Sequence, residues 1–107
     1  MATADERFDE AIAVQQAGNL EGAVAKLQAI LTDEPDFPLA HCALSVFYGK
    51  LGRHEEAVRH AERLCQIQPE DPFNFISLSI VHQKAGQTAE AEAAMAQALE
   101  KQWAGRK

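Results

Sequence analysis

The spacing of proline and glycine constrains the fold of this chain more than any other feature. The four prolines form two pairs, Pro35 with Pro38 and Pro69 with Pro72, and the second pair follows the first by 34 residues. Three glycines and three alanines repeat at the same interval: Gly18, Gly52, Gly86, Ala23, Ala57 and Ala91. A fixed period of 20–50 residues is typical of stacked repeat proteins. We therefore interpret the sequence as three copies of one unit, at residues 4–37, 38–71 and 72–105 of a single domain spanning 1–107.

Each unit carries the signals of two helices. Pro38 and Pro72 suit the opening position of a first helix, where no backbone N–H is needed, and Thr3 with Glu6 has the spacing of a capping box. The repeated glycines fall where each first helix should end in a left-handed turn. The pattern predicts first helices at about 4–17, 38–51 and 72–85, and second helices at about 20–33, 54–67 and 88–102. The predicted fold class is therefore all-α, with six helices in three pairs.

This unit resembles the tetratricopeptide repeat (TPR), a helix-turn-helix unit of 34 residues. The family's small residue early in the second helix matches the three repeated alanines. Its closing proline matches Pro35 and Pro69, while Trp103 stands at that position in the third unit. The resemblance implies an α-α superhelix of three helix-turn-helix repeats, in which the first helices line a concave face and the second helices a convex face.

The first unit departs from the family pattern. The Leu and aromatic positions of the first helix are met by Leu44 and Tyr48 in the second unit and by Phe75 and Leu78 in the third. At comparable positions the first unit has Arg7 and Glu10, where bulky apolar residues are usual. The packing of its first helix is therefore the part of the fold that the sequence defines least.

The resemblance also implies an adaptor that holds a peptide or helix of a partner protein in its concave groove. The groove positions of the family are the fifth, ninth and thirteenth of each unit: Phe8, Ile12, Gln16, Cys42, Val46, Lys50, Ile76, Ile80 and Lys84. Six of the nine are apolar, where an ordinary adaptor carries Asn, Arg or Lys. Because exposed apolar patches usually mark interaction sites, we expect a hydrophobic or amphipathic segment to bind there. The alternative is that neighbouring first helices cover part of the stripe.

The chaperone-tail adaptors of the family hold a C-terminal carboxylate with Lys, Asn and Arg side chains. The corresponding positions here are Phe8, Ile12, Ala43, Phe73 and Ser77, and none carries a matching residue. A terminal carboxylate would lose every charge-assisted hydrogen bond that it needs. We therefore expect that this chain does not bind heat-shock-chaperone tails.

The last helix provides a second candidate surface. Met95, Leu99 and Trp103 share one face of it, and the chain leaves no room for a polar capping helix after the third unit. The alternative function is self-association through this face, as a weak homodimer. The net charges of the three units, −6, −1 and +1, weakly favour a head-to-tail contact. A two-fold dimer is nevertheless expected, because it is the commonest arrangement of homo-oligomers. Two other interpretations stay open: a fragment of a longer protein, and a Trp103 side chain that folds back to cap the stack.

Composition excludes several classes of function. The net charge of −6, with no run of Lys or Arg, argues against nucleic acid, and no apolar run reaches the roughly 18 residues of a membrane span. The N-terminus lacks a secretory pattern, which predicts a cytoplasmic protein, and Cys42 and Cys65 are expected to be reduced thiols. His41, His54, His60 and His82 are scattered along the sequence. We expect no catalytic site, no metal site and no cofactor.

Overall fold

The structure is a computed structural model that describes residues 2–104, and six α-helices make up most of this span. They are α1 (Ala4–Gln16), α2 (Leu20–Asp33), α3 (Pro38–Lys50), α4 (His54–Ile67), α5 (Pro72–Lys84) and α6 (Thr88–Ala104). The predicted all-α fold of three helix pairs is confirmed. Residue 105, the predicted end of the third unit, lies outside the described residues.

The helices begin at the residues that the sequence pattern indicated and end within two residues of the predicted positions. Thr3 and Glu6 form a reciprocal capping box at α1, in which the Glu6 N–H donates to Thr3 Oγ1 at 3.1 Å and the Thr3 N–H donates to Glu6 Oε1 at 3.0 Å. Pro38 and Pro72 each occupy the first turn of their helix. The three glycines of the repeat have φ between +77° and +95°, the left-handed conformation that closes each first helix.

The closing residue of each unit sets the length of its second helix. Pro35 and Pro69 follow α2 and α4, which each contain 14 residues. At the equivalent position Trp103 has a backbone N–H and no steric conflict with a helix. As a result α6 continues past this position and reaches 17 residues.

The core runs along the stack between successive helices. Each helix packs against the next in the sequence, and α3 also contacts α5. Leu27, Ile30 and Leu44 are fully buried, and so are several alanines of the core, including Ala23 and Ala57. The buried Ser79 hydroxyl donates a 2.8 Å hydrogen bond to the Ala91 carbonyl, which ties α5 to α6. The three units therefore share one continuous core.

Ion pairs join α1 to α2 at the two positions where the first unit departs from the apolar pattern. Arg7 Nη1 lies 2.7 Å from Asp33 Oδ2, and Lys26 Nζ lies 3.4 Å from Glu10 Oε1. In the third unit the position of Arg7 is taken by the buried Phe75. The first unit thus uses charged contacts at the surface where the third uses an aromatic side chain.

Over the part of the chain that the structure describes, no helix is both long enough and apolar enough to cross a membrane.

Candidate functional site

A small cavity between α3 and α5 brings together three of the predicted groove residues. It has a volume of about 110 Å³ and is lined by Ser45, Val46, Gly49, Ser77, Ile80 and Lys84. Val46 and Ile80 come from equivalent positions of successive units, and their side chains are 49% and 46% exposed. The cavity is therefore an open apolar site with a lysine at its edge.

Lys50 and Lys84 lie in the last turns of α3 and α5, on the side of the groove formed by the carboxyl ends of the first helices. Both side chains are exposed. Lys50 Nζ lies 5.9 Å from the centre of the Phe47 ring, within the range of a cation–π contact. Lys84 thus lies at the edge of the cavity, and Lys50 holds the equivalent position one unit earlier.

The remaining apolar groove residues are less accessible. Phe8, Ile12 and Ile76 are half-buried and pack against the core. The Phe8 ring makes an edge contact with Phe37, with the ring centres 6.3 Å apart. Neighbouring side chains therefore cover part of the stripe at both ends, and the accessible apolar surface is concentrated around Val46 and Ile80.

Cys42 and Gln16 complete the predicted set. Gln16 is exposed at the end of α1. Cys42 is half-buried beside a second hollow of about 300 Å³ that is lined by Phe37, Pro38, Leu39, Leu64 and Asn74. Burial raises the pKa of the Cys42 thiol, so this side chain is a neutral, apolar contributor to the surface.

Sequence reasoning missed Leu39 and considered Phe73 only as a carboxylate-clamp position. These residues occupy the second position of their units and are among the exposed large apolar side chains of the described residues. Their shared position in the 34-residue period was the signal that could have found them. They extend the apolar surface toward the amino ends of α3 and α5.

The predicted self-association residues lie on α6 with different accessibility. Met95 is half-buried against the core, whereas Trp103 is 67% exposed. The interpretation that Trp103 folds back to cap the stack is wrong, because two thirds of its surface faces solvent. Leu99 is 59% exposed, while Leu31 and Cys65, which hold the same position in the first two units, are 9% and 7% exposed. Leu31 and Cys65 belong to the core cluster of the described residues, whereas Leu99 does not.

A polar cluster that the sequence did not predict joins α2, α3 and α4. His41 Nδ1 lies 3.0 Å from His60 Nδ1, and the His60 ring stacks on Tyr48 with the ring centres 5.7 Å apart. An open cleft of about 500 Å³ borders this pair on the side of the second helices, with Gln28 and Arg59 in its lining. Within residues 2–104, His, Cys, Asp and Glu side chains do not gather in threes at a distance that would hold a metal ion. The cluster connects the first two units, because the Gln28 amide lies 2.8 Å from Tyr48 Oη and 3.4 Å from His60 Nε2.

Comparison with the sequence profiles of protein families shows the family to which this chain belongs. Sequence profiles of the tetratricopeptide repeat match residues 6–72 and residues 76–97. The chain belongs to the tetratricopeptide repeat family. The search of curated proteins gave no significant match for this TPR chain.

Solved structures support the TPR fold. A crystal structure of MamA superposes with a TM-score of 0.87 and 21% identity, covering 97% of this chain and 61% of that one. A second crystal structure of MamA gives 0.85 and 22% identity, covering 92% and 54%. A Thermobaculum terrenum O-GlcNAc transferase mutant gives 0.79 and 21% identity, covering 94% and 20%. The TPR chain therefore spans less than two thirds of the length of each of these proteins, and at these identities the likeness concerns the fold.

Membership of the TPR family supports a general function in protein–protein interaction. Two surfaces of the described residues offer apolar side chains for it. One is the groove between α3 and α5, and the other is the face of α6 that carries Leu99 and Trp103.

Proposed function

We propose that this TPR domain is a non-catalytic interaction module that binds an apolar or amphipathic peptide segment in the groove between α3 and α5. One observation carries the proposal: Val46 and Ile80, on successive first helices, are half-exposed walls of one cavity. Isolated exposed apolar residues are common in proteins, but a pair aligned by the repeat across a cavity forms a site that a partner's side chain fills.

The half-buried groove residues support the same function. Phe8, Ile12 and Ile76 are already packed against the core. A bound segment therefore meets a preformed surface, which reduces the ordering cost of binding. The predicted partner is a protein segment whose apolar side chain enters the cavity while its backbone lies along the groove.

The test is a selection of random dodecapeptides displayed on phage against the wild-type protein and the Val46→Glu, Ile80→Glu variant. Both side chains are half-exposed, so the variant keeps its helicity, measured by circular dichroism, while the new carboxylates lose hydration only when a ligand covers them. Leu99→Glu with Trp103→Glu is the matched control, since it places the same two negative charges on exposed apolar positions of α6. We expect enriched peptides to bind the wild type and the control but not the groove variant. Equal binding to all three proteins would exclude the groove.

A second candidate function is self-association through α6. It is favoured by the exposure of Leu99 at a position that is buried in both earlier repeats. The small side chains of α6, including Ala96 beside this face, would let another helix approach closely. The experiment that tests this function is given with the last prediction of the Discussion.

A further inference from the structure

The charges of the groove differ from those of the rest of the molecule. The chain has 16 Asp and Glu against 10 Lys and Arg, and each of α1, α2, α4 and α6 carries acidic residues. Helices α3 and α5 carry none, and their only Lys or Arg residues are Lys50 and Lys84. The two helices that form the groove are therefore the only described helices without a negative charge.

The two groove lysines are also free of carboxylate partners within the described span. Over residues 2–104, the ion pairs of the molecule use Arg7, Lys26, Arg53, Arg63 and Lys101. Lys50 and Lys84 are absent from that set. Their last-turn positions suit the helix dipole, but the dipole does not account for the lack of acids on both helices. Without carboxylate partners, the two exposed ammonium groups of Lys50 and Lys84 are available to a ligand.

One of the two lysines borders the apolar cavity, and the other holds the equivalent position of the preceding unit. Lys84 itself lines the cavity together with Val46 and Ile80. Lys50 occupies the equivalent position one unit earlier, one helical turn beyond Val46. A segment seated in the cavity therefore has its flanking residues within reach of a positive charge.

We propose that the groove selects acidic amphipathic segments, in which an apolar side chain enters the cavity between Val46 and Ile80 and neighbouring Asp or Glu carboxylates pair with Lys50 and Lys84. This inference rests on the proposed function and adds the chemistry of the partner. Charge complementarity carries it: a basic border on an acidic protein attracts carboxylates locally, while the overall charge of −6 repels acidic chains elsewhere.

The experiment uses the dodecapeptide selection described above and then measures the enriched peptides by fluorescence polarisation. We expect the enriched sequences to combine an aliphatic or aromatic residue with at least one Asp or Glu. The Lys50→Ala, Lys84→Ala variant should bind them roughly tenfold more weakly, because two exposed ion pairs are lost. Raising the salt concentration from 50 to 500 mM should weaken wild-type binding more than that of the variant.

A matched variant separates the local charges from the net charge. Lys26→Ala with Arg59→Ala removes two positive charges from the second helices and should leave the affinity within twofold of wild type. Lys50→Gln with Lys84→Gln keeps longer side chains and should reproduce the loss, which shows that the charges and not the packing are responsible.

The outcomes distinguish the inference from the function on which it rests. Neutral or basic peptides whose binding depends on Val46 and Ile80 but not on the lysines would overturn the inference and leave the groove as the binding site. An equal loss in the Lys26, Arg59 variant would also overturn it, since net charge alone would then explain the preference. If no enriched peptide depends on Val46 and Ile80, the proposed function fails together with the inference.

Discussion

His41 Nδ1 and His60 Nδ1 face each other at 3.0 Å, and the partners of the two rings fix which nitrogen carries each proton. The Pro35 carbonyl can only accept, so His41 Nε2–H donates to it at 2.7 Å. His41 Nδ1 then accepts from His60 Nδ1–H, and His60 Nε2 accepts from the Gln28 amide at 3.4 Å. The chain of hydrogen bonds is complete only while both imidazoles are neutral.

The first prediction is that acid weakens the contact between the first two units. Burial, then the charges of His41 and Arg59, lower the pKa of His60 from 6.5 to about 4, and Glu56 opposes this shift only in part. The folded protein therefore binds fewer protons than the unfolded chain between these values. The contribution of neutral His60 to the free energy of unfolding is fully present above pH 6.5 and is lost as the pH falls toward 4. Because His60 is only half-buried, we expect a loss of about 1 kcal/mol between pH 7.5 and pH 5.

Urea unfolding of the wild type and the His60→Gln variant at these two pH values measures this effect. The variant keeps a polar side chain without a titrating proton. Its free energy of unfolding should fall by about 1 kcal/mol less than that of the wild type over the same pH interval. Equal pH dependence in the two proteins would show that His60 does not contribute.

The second prediction concerns the ion pair between Arg7 and Asp33. Both side chains reach solvent, so Arg7→Ala should lower the free energy of unfolding by less than about 1 kcal/mol, and the difference should shrink in 1 M salt. Arg7→Phe should raise stability by about 1 kcal/mol, because the equivalent Phe75 is buried in the core, with Lys101 of α6 over its ring. A destabilised Arg7→Phe protein would mean that the ion pair positions α1.

The third prediction compares two glycines that both have room for a methyl group but differ in backbone conformation. A methyl group added at Gly49 or at Gly52 would meet no atom within 4 Å, but Gly52 has φ +77° and Gly49 lies inside α3 with negative φ. Gly52→Ala should cost about 1 kcal/mol, whereas Gly49→Ala should add about 0.5–1 kcal/mol of stability. Thermal unfolding should show shifts of opposite sign, each of about 4–8 °C per kcal/mol. Shifts of the same sign would contradict the assignment of Gly52 to the left-handed conformation and of Gly49 to the helical one.

The sequence predicted the helices well because their ends depend on local chemistry. Pro38 and Gly52 act through their own backbone dihedrals, so the period alone placed α3 within one residue of its observed end. The accessible part of the groove depends on packing between units instead. Ile12 and Val46 hold the same repeat position, yet Ile12 packs against the core and Val46 is exposed, so the repeat position alone does not determine exposure.

The histidine cluster was beyond sequence reasoning for a related reason. His41 and His60 hold different positions in the repeat, and they lie on different helices of the second unit. Their contact requires the angle between α3 and α4 and the approach of Gln28 from α2, which no spacing rule encodes. Local capping and turn signals are therefore readable from one sequence, whereas contacts between helices need the packed structure.

The last prediction is that the protein forms a weak dimer in which Leu99 and Trp103 of each copy lie in the contact. Burying these side chains at about 25 cal/mol per Å² gives several kcal/mol before the cost of association is subtracted, so we expect a weak dimer that forms only at high protein concentration. Sedimentation equilibrium over a wide concentration range should show wild-type self-association. Leu99→Glu should abolish it, and Trp103→Ala should weaken it.

The ends of the stack determine the geometry of that dimer. At the third and tenth unit positions α3 buries Ala40 and Phe47, whereas α1 exposes Glu6 and Ala13. A head-to-tail contact would place the Glu6 carboxylate against Leu99, where losing its hydration is costly. We therefore expect a two-fold contact between α6 helices. Val46→Glu is the matched control and should leave the dimer intact. If Val46→Glu dissociates the dimer and Leu99→Glu does not, the contact lies in the groove. A monomer at every concentration would exclude self-association.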